Sequence, residues 1–460
     1  MSMIKTDICI IGAGSGGLSV AAGAVQMGAR VVLIEGHKMG GDCLNYGCVP
    51  SKALLAQAKA AKAGASIDFG SAMAHVQATI DAIAPHDSVE RFEGLGVQVI
   101  RGWARFADRN TVEVEGQQIR ARRFVIATGS RAAIPPIPGI DQVPYMTNET
   151  IFAQTDCPGH LLIIGGGPIG LEMAQAHRRL GARVTVIEGA RALGRDDPEA
   201  AALVVETLRR EGVEIVEDVQ VESVAGHTGA IEVRVKGGTI FSGTHLLLAV
   251  GRTPNLDRLH LESAGIRYSR NGVTVDARLR TTNRHVHAIG DAAGQGQFTH
   301  LAGYHAGVII RSMLFGLPAK ARHDHIPHVT YTDPELAQIG LTEATARKRF
   351  GPRLSVHRIG FDQNDRAQAE GRTEGFLKLM AAGGRPVGVT CVGPQAGEII
   401  APYALAMSNG LKLSAMAGTV LPYPTLAEIG KRAAGAYFSP QLFDNMNVKR
   451  VVRAVQRWLP

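Results

Sequence analysis

Cys43 and Cys48 stand five positions apart in Gly40-Gly41-Asp42-Cys43-Leu44-Asn45-Tyr46-Gly47-Cys48-Val49-Pro50-Ser51-Lys52. A helix-compatible run, Ala53 to Ala58, follows. Pro50 suits a first helical turn, where a missing N–H costs nothing. Cys48 is therefore expected beside a helix N-terminus, whose partial positive charge favours thiolate over thiol. Lys52, one turn on, would add a second positive influence. Such a pair suits reversible dithiol–disulfide chemistry, because the loop it closes is too short to constrain much of an unfolded chain. Spacing alone leaves two unrelated free cysteines an equal reading.

The elements around this pair read as nucleotide folds. Ile8 to Ile11 is a buried-strand run, Gly12-Ala13-Gly14-Ser15-Gly16-Gly17 a G-x-G-x-x-G turn, Leu18 to Met27 a helix and Val31 to Ile34 a second strand. Glycines there permit the tight turn and a close approach of pyrophosphate to backbone N–H groups. Glu35, eighteen positions after Gly17, is placed for a ribose hydroxyl pair. The unit recurs: Gly12, Gly14, Gly17 and Glu35 map onto Gly165, Gly167, Gly170 and Glu188 with one offset of 153. Two complete fingerprints imply two bound dinucleotides.

The 460 residues exceed one hydrophobic core and should divide into two to four domains. Apolar content of 45% with 20% charged fits a soluble globular chain, and no apolar run is long enough to cross a bilayer. Met1 to Lys5 leads into a strand pattern rather than a signal peptide. Five scattered cysteines argue against a secreted disulfide scaffold and for a cytoplasmic enzyme. A formal charge of +8 is interleaved with acids, without a dense basic run, so no nucleic-acid partner is expected.

Gly-Gly-x-Cys-Leu-Asn-x-Gly-Cys-Val-Pro-Ser-Lys resembles the redox-active signature of the class I pyridine nucleotide–disulfide oxidoreductases, which include dihydrolipoamide dehydrogenase, glutathione reductase and mercuric reductase. Phe124 to Ser130, with Thr128 and Gly129, resembles the family's Ala-Thr-Gly turn. Leu247 to Asn255, with Gly251, resembles the turn closing its second nucleotide domain. Val286-His287-Ala288-Ile289-Gly290-Asp291 resembles the motif whose Asp contacts the FAD ribitol, ahead of a helix starting near Gln297. The resemblance implies an α/β fold with two Rossmann-like domains, for FAD and NAD(P), and a C-terminal α+β dimerisation domain. Its boundaries would be 1–145 and 271–335 for FAD, 146–270 for NAD(P) and 336–460 for dimerisation, the last built of strands and turns over Arg366 to Leu379 and a helix over Glu398 to Asn409.

It also implies that hydride passes from nicotinamide to flavin and electrons then reach a Cys43–Cys48 disulfide. Cys48 would face the flavin, Cys43 would attack a small-molecule substrate, and Lys52 with Glu172 would form an ion pair near flavin N5. Glu188 favours NADH, since a carboxylate repels a 2′-phosphate; Arg191 or Arg195 leaves NADPH open. The chain would act as a homodimer.

One departure matters. At Leu421-Pro422-Tyr423-Pro424-Thr425-Leu426-Ala427-Glu428, dihydrolipoamide dehydrogenase and glutathione reductase carry a histidine in the place of Tyr423, paired with a glutamate, here Glu428. Tyrosine, with a pKa near ~10, is a poor base at neutral pH. Mercuric reductase carries tyrosines matching Tyr423 and Tyr145, although Tyr is also common in dimer contacts. Arg457-Trp458-Leu459-Pro460 lacks that enzyme's terminal cysteine pair, and no N-terminal metal-binding domain is expected. The acceptor expected is a small thiol, disulfide, quinone or metal ion. Rival readings are a dihydrolipoamide dehydrogenase and a redox-sensing flavoprotein without steady turnover.

Overall fold

The structure is a computed structural model that describes residues 3–459. Readings that rest on Met1, Ser2 or Pro460 lie outside the described residues. The chain forms two compact units, residues 3–189 with 213–323, and 190–212 with 324–459.

In the first unit β1 (Met3–Ile11), α1 (Ser15–Gln26), β2 (Val31–Glu35), β3 (Gln98–Arg101) and β4 (Gln117–Ile126) build the first nucleotide fold. Its parallel sheet runs β3-β2-β1-β4, and Val286–Ala288 adds a further parallel strand on β4. The register sets Ile11 beside both Ile34 and Ile126, so the strand ends line up where the glycine turn begins. Strands this apolar are buried on both faces, as a parallel sheet between helices requires. Ile8, Ile10, Leu33 and Val125 meet α1 on one face, and Cys9, Val32, Phe124 and Ile126 fill the other. The helix α1 begins three residues before the sequence-based expectation, at Ser15, because Gly14 caps it in extended conformation.

The second fingerprint repeats this plan. Strands His160–Ile164, Arg183–Ile187, Glu214–Val216 and His245–Leu248 form a parallel sheet, with helix Pro168–Arg179 after the glycine turn. Ile164 lies beside Ile187 and Leu248, the counterpart of Ile11 between its two neighbours.

The second unit centres on a five-stranded antiparallel sheet in the order Pro327–Thr330, Glu335–Gly340, Arg385–Gly393, Phe376–Ala382 and Leu354–Gly360. Its core includes Phe361, Leu379, Val389, Tyr403 and Ile429. The buried Tyr403 hydroxyl donates to Gly430 O at 2.7 Å, which satisfies the one polar atom of that ring. Buried Lys378 is matched by Asp197 and Glu199 at 3.0 Å and Glu343 at 3.2 Å. The expected strands and turns over Arg366 to Leu379 need correction at their start. Asp365–Glu370 is a short helix, because the Asn364 side chain caps it by accepting from Ala367 N at 3.0 Å. Helices Ala396–Ile399 and Ala401–Asn409 occupy the stretch expected to be helical from Glu398.

Candidate active site

Cys48 is the first residue of helix Cys48–Lys62, and Cys43 lies in the short helix Gly41–Asn45 just before it. Neither forms a disulfide in this structure. The Cys43 thiol hydrogen-bonds to Cys48 and stabilises its anion, the largest influence on that sulfur. Thr299 Oγ1 lies 3.5 Å from Cys48 Sγ and adds a second bond, and the Lys52 charge a third contribution. Against burial and the opposing Glu172 charge, these pull the Cys48 pKa from 9.0 to about 6. The same bond pushes Cys43 far up, since losing its proton would set two anions side by side. These influences favour the anion on Cys48 and the proton on Cys43.

Lys52 Nζ donates to Glu172 Oε2 at 2.8 Å, and Glu172 is buried in helix Pro168–Arg179. The helix bearing the sulfur is thereby tied to the helix of the second glycine turn. Asp42 is held by Arg252 at 3.0 Å and by Asn148 Nδ2 at 2.9 Å. Arg252 also donates from Nε to Ser130 Oγ and from Nη2 to Ser130 O, both at 2.8 Å. Ser130 Oγ in turn donates to Asp291 Oδ2 at 2.5 Å. Burial raises the Asp291 pKa, while the Ser130 bond and the Arg252 charge work the other way.

The two glycine turns share one steric plan. Gly12 has φ +105°, and a Cβ there would meet Ala127 O at 2.4 Å; a Cβ on Gly17 would meet Gly12 O at 1.9 Å. Gly165 has φ +115°, with a Cβ meeting Ala249 O at 2.4 Å, and a Cβ on Gly170 would meet Gly165 O at 2.0 Å. Only glycine serves at these places. Gly167, by contrast, faces open space, and a Cβ on Gly14 would meet only Gly41 Cα at 3.9 Å, so neither position is closed to a phosphate approaching the helix start. Glu35 accepts from Ala13 N at 2.6 Å and His37 N at 2.7 Å, and Glu188 from Gly166 N at 2.6 Å. Each carboxylate is thus locked across its own turn at the end of a strand. The turn residues Gly129 and Gly251 both take positive φ, and the short strands that follow them, Ser130–Ala132 and Arg252–Pro254, pair antiparallel. Thr128 Oγ1 and Gln295 Oε1 are buried without a hydrogen-bond partner, polar atoms of the kind a bound cofactor satisfies. These residues fit FAD in the first fold and a nicotinamide dinucleotide in the second.

Tyr423 lies in the second unit. It is 71% exposed, and its hydroxyl donates to Asp365 Oδ2 at 2.8 Å. That bond raises its pKa above the ordinary tyrosine value. Glu428 opens helix Glu428–Ala436 and accepts from Thr425 N at 3.3 Å. Tyr145 packs partly buried against the core of the second nucleotide fold. Sequence reasoning did not find Thr299 as a partner of Cys48 or Arg252 as the link between Asp42 and Ser130. The only sequence signal was their place next to the family-like turns.

Comparison with known proteins agrees with this geometry. Residues 6–306 match the family described as pyridine nucleotide-disulphide oxidoreductase, and residues 326–434 match its dimerisation domain. A mercuric reductase of Acidithiobacillus ferrooxidans is 34% identical over 455 residues, 94% of this chain and 83% of that protein. A dihydrolipoyl dehydrogenase of Bacillus subtilis is 33% identical over 450 residues, 92% of this chain and 96% of that one. The HOCl-induced flavoprotein disulfide reductase RclA of Escherichia coli, solved as a Cu(II) complex, superposes with a TM-score of 0.87 at 29% identity. That match covers 95% of this chain and all of RclA. Among the described residues no helix is long and apolar enough to cross a membrane. The paired fingerprints, the two cysteines at the helix start and these matches place the chain in the pyridine nucleotide-disulphide oxidoreductase family, as an FAD-dependent NAD(P)H:disulfide oxidoreductase.

Proposed function

We propose that the chain passes electrons from NADH through the Cys43–Cys48 pair to a thiophilic metal ion, in the manner of a mercuric reductase, and does so as a homodimer. The observation that carries this is the asymmetry of the two sulfurs, joined to a tyrosine where a base is needed for dithiol exchange. In this reading residues 1–145 and 271–335 hold FAD, 146–270 hold the nicotinamide dinucleotide, and the dimer contact lies within 336–460.

Bound FAD supplies two-electron transfer between nicotinamide and sulfur. Around it, the N–H groups after Gly14 hold pyrophosphate, Glu35 holds a ribose and Asp291 the ribitol chain. Lys52 orients Cys48 and balances its charge, and Glu172 fixes Lys52. The stoichiometry supports this assignment: NADH and a disulfide yield NAD⁺, one thiol and one thiolate, with no proton left over. Cys43 keeps the proton, and Cys48 keeps the charge. Cys43 is also the sulfur that meets the acceptor.

Tyr423 of one protomer serves the partner's Cys43. Its hydroxyl donates a hydrogen bond but accepts no proton at neutral pH. A lipoamide or glutathione substrate needs such a proton shuttle; a metal ion held by sulfur does not. The relatives named mercuric reductase, and the Cu(II) complex of RclA, favour the same acceptor class.

The deciding experiment is anaerobic NADH oxidation by the holoenzyme with Hg(II), Cu(II), lipoamide, glutathione disulfide and a quinone in parallel. Metal-ion turnover well above the others is expected. Faster lipoamide turnover would support the second reading, a dihydrolipoamide dehydrogenase, which the Bacillus subtilis relative keeps in view.

A further inference from the structure

Beyond the family match, which ends at residue 434, the chain forms a helix over Met446–Trp458. Asn445 caps it by accepting from Asn447 N at 2.9 Å and Val448 N at 3.4 Å. None of its residues is buried. Projected along a helix, Val448, Val451, Val452, Val455 and Trp458 fall within a sector of about 120°. Lys449, Arg450, Arg453 and Arg457 fall in the opposite sector, and residues 445–459 contain no acid. Val451 is 62% exposed and Trp458 84%. Leu442 and Phe443, just before the helix, are exposed as well.

An exposed helix of a soluble protein ordinarily sets acids among its bases for i,i+4 pairs, and turns its apolar stripe to a core. This one has neither. Its four valines also lower its intrinsic helix propensity, so seating the apolar face would stabilise it. An apolar stripe with a terminal Trp, opposite four cations with no ion-pair partner among the described residues, has the composition of a helix that lies in the plane of an anionic bilayer. Long Arg and Lys stems let their charges reach headgroups while the stripe is immersed.

We propose that Met446–Trp458 docks the enzyme on membranes rich in anionic phospholipid, apolar face inward and without spanning the bilayer. A second copy of the chain is the rival occupant. The helix lies outside the matched dimerisation region, and its all-positive charge complements an anionic surface rather than itself.

The test is flotation of the purified full-length holoenzyme with phosphatidylglycerol–phosphatidylcholine vesicles, against vesicles of phosphatidylcholine alone. Binding is expected only to the anionic vesicles and should weaken with salt. Arg450→Glu with Arg453→Glu should weaken it by at least about tenfold. Val452→Glu with Val455→Glu should abolish it while NADH oxidation in solution stays unchanged. Trp458 fluorescence should shift to the blue on binding, and that shift should vanish in Trp458→Phe. Failure to bind anionic vesicles, binding that ignores these substitutions, or a change of oligomeric state in the valine variant would each overturn the proposal.

Discussion

Lys52 Nζ meets Glu172 Oε2 at 2.8 Å, and the two side chains differ sharply in exposure, 35% for the lysine and 5% for the carboxylate. The carboxylate is therefore the partner that suffers if the pair is broken. Lys52→Met leaves a buried anion uncompensated and should destabilise the protein by roughly 2 kcal/mol, discounted for the exposed lysine. Adding Glu172→Gln should recover most of that loss without recovering activity. Urea unfolding of the single and double variants decides the point; equal costs would remove the ion pair from the account.

Cys48 should titrate far below an ordinary thiol. On the reduced enzyme, its alkylation by iodoacetamide should rise to a plateau with a midpoint near pH 6, where the sulfur loses its proton. Cys43→Ala removes the largest stabilising influence and should move the midpoint back toward the unshifted value of 9.0. An unmoved midpoint would show that Cys43 is not the donor.

Much of this site was legible in the sequence, for local reasons. Gly12 and Gly165 announce themselves because no other residue tolerates their φ against the carbonyls of Ala127 and Ala249. Pro50 placed the helix start beside Cys48. The contacts of Thr299 with Cys48 and of Arg252 with Asp42 were not legible, since they join residues remote in the chain through tertiary packing alone. The helix Asp365–Glu370 was missed through its cap: Asn364 reads equally as a turn residue until its side chain is seen on Ala367 N.

Buried His177 sets an acid limit on stability. Its Nδ1–H donates to Met173 O at 2.8 Å, and its Nε2 has no partner, so a second proton would sit unpaired in the core. Burial lowers its pKa to about 4. The unfolded chain takes up that proton near pH ~6.5, the native chain only near 4, so stability falls as pH drops between those values and levels off below. The loss from this one imidazole is on the order of 3 kcal/mol. His177→Leu should remove its share of the slope in unfolding measured from pH 7 to 4; an unchanged slope would refute it.

Glu188 should govern the choice of nicotinamide. With its carboxylate locked on Gly166 N, the enzyme should show a higher kcat/KM for NADH than for NADPH, and Glu188→Gln should narrow the ratio. A preference for NADPH in the unmodified enzyme would sink this assignment.

Tyr423→Phe removes a hydroxyl that is solvent-exposed and engaged by Asp365. In stopped-flow experiments, reduction of the holoenzyme by NADH should proceed as before, while the following metal-ion reduction slows. Equal slowing of both phases would argue that the residue shapes the fold instead of the acceptor step.

Arg252 has the broadest reach of these contacts. It begins just after Gly251, where the second nucleotide fold closes, yet its guanidinium grips Ser130 beside Asp291 and Asp42 beside Cys43. The fork geometry matters here, because a lysine ammonium could not span those partners with the same fixed angles. Arg252 is thus a rivet through three loops: the turn closing the second nucleotide fold, the turn carrying Ser130 and the sulfur-bearing turn are fastened as one plate.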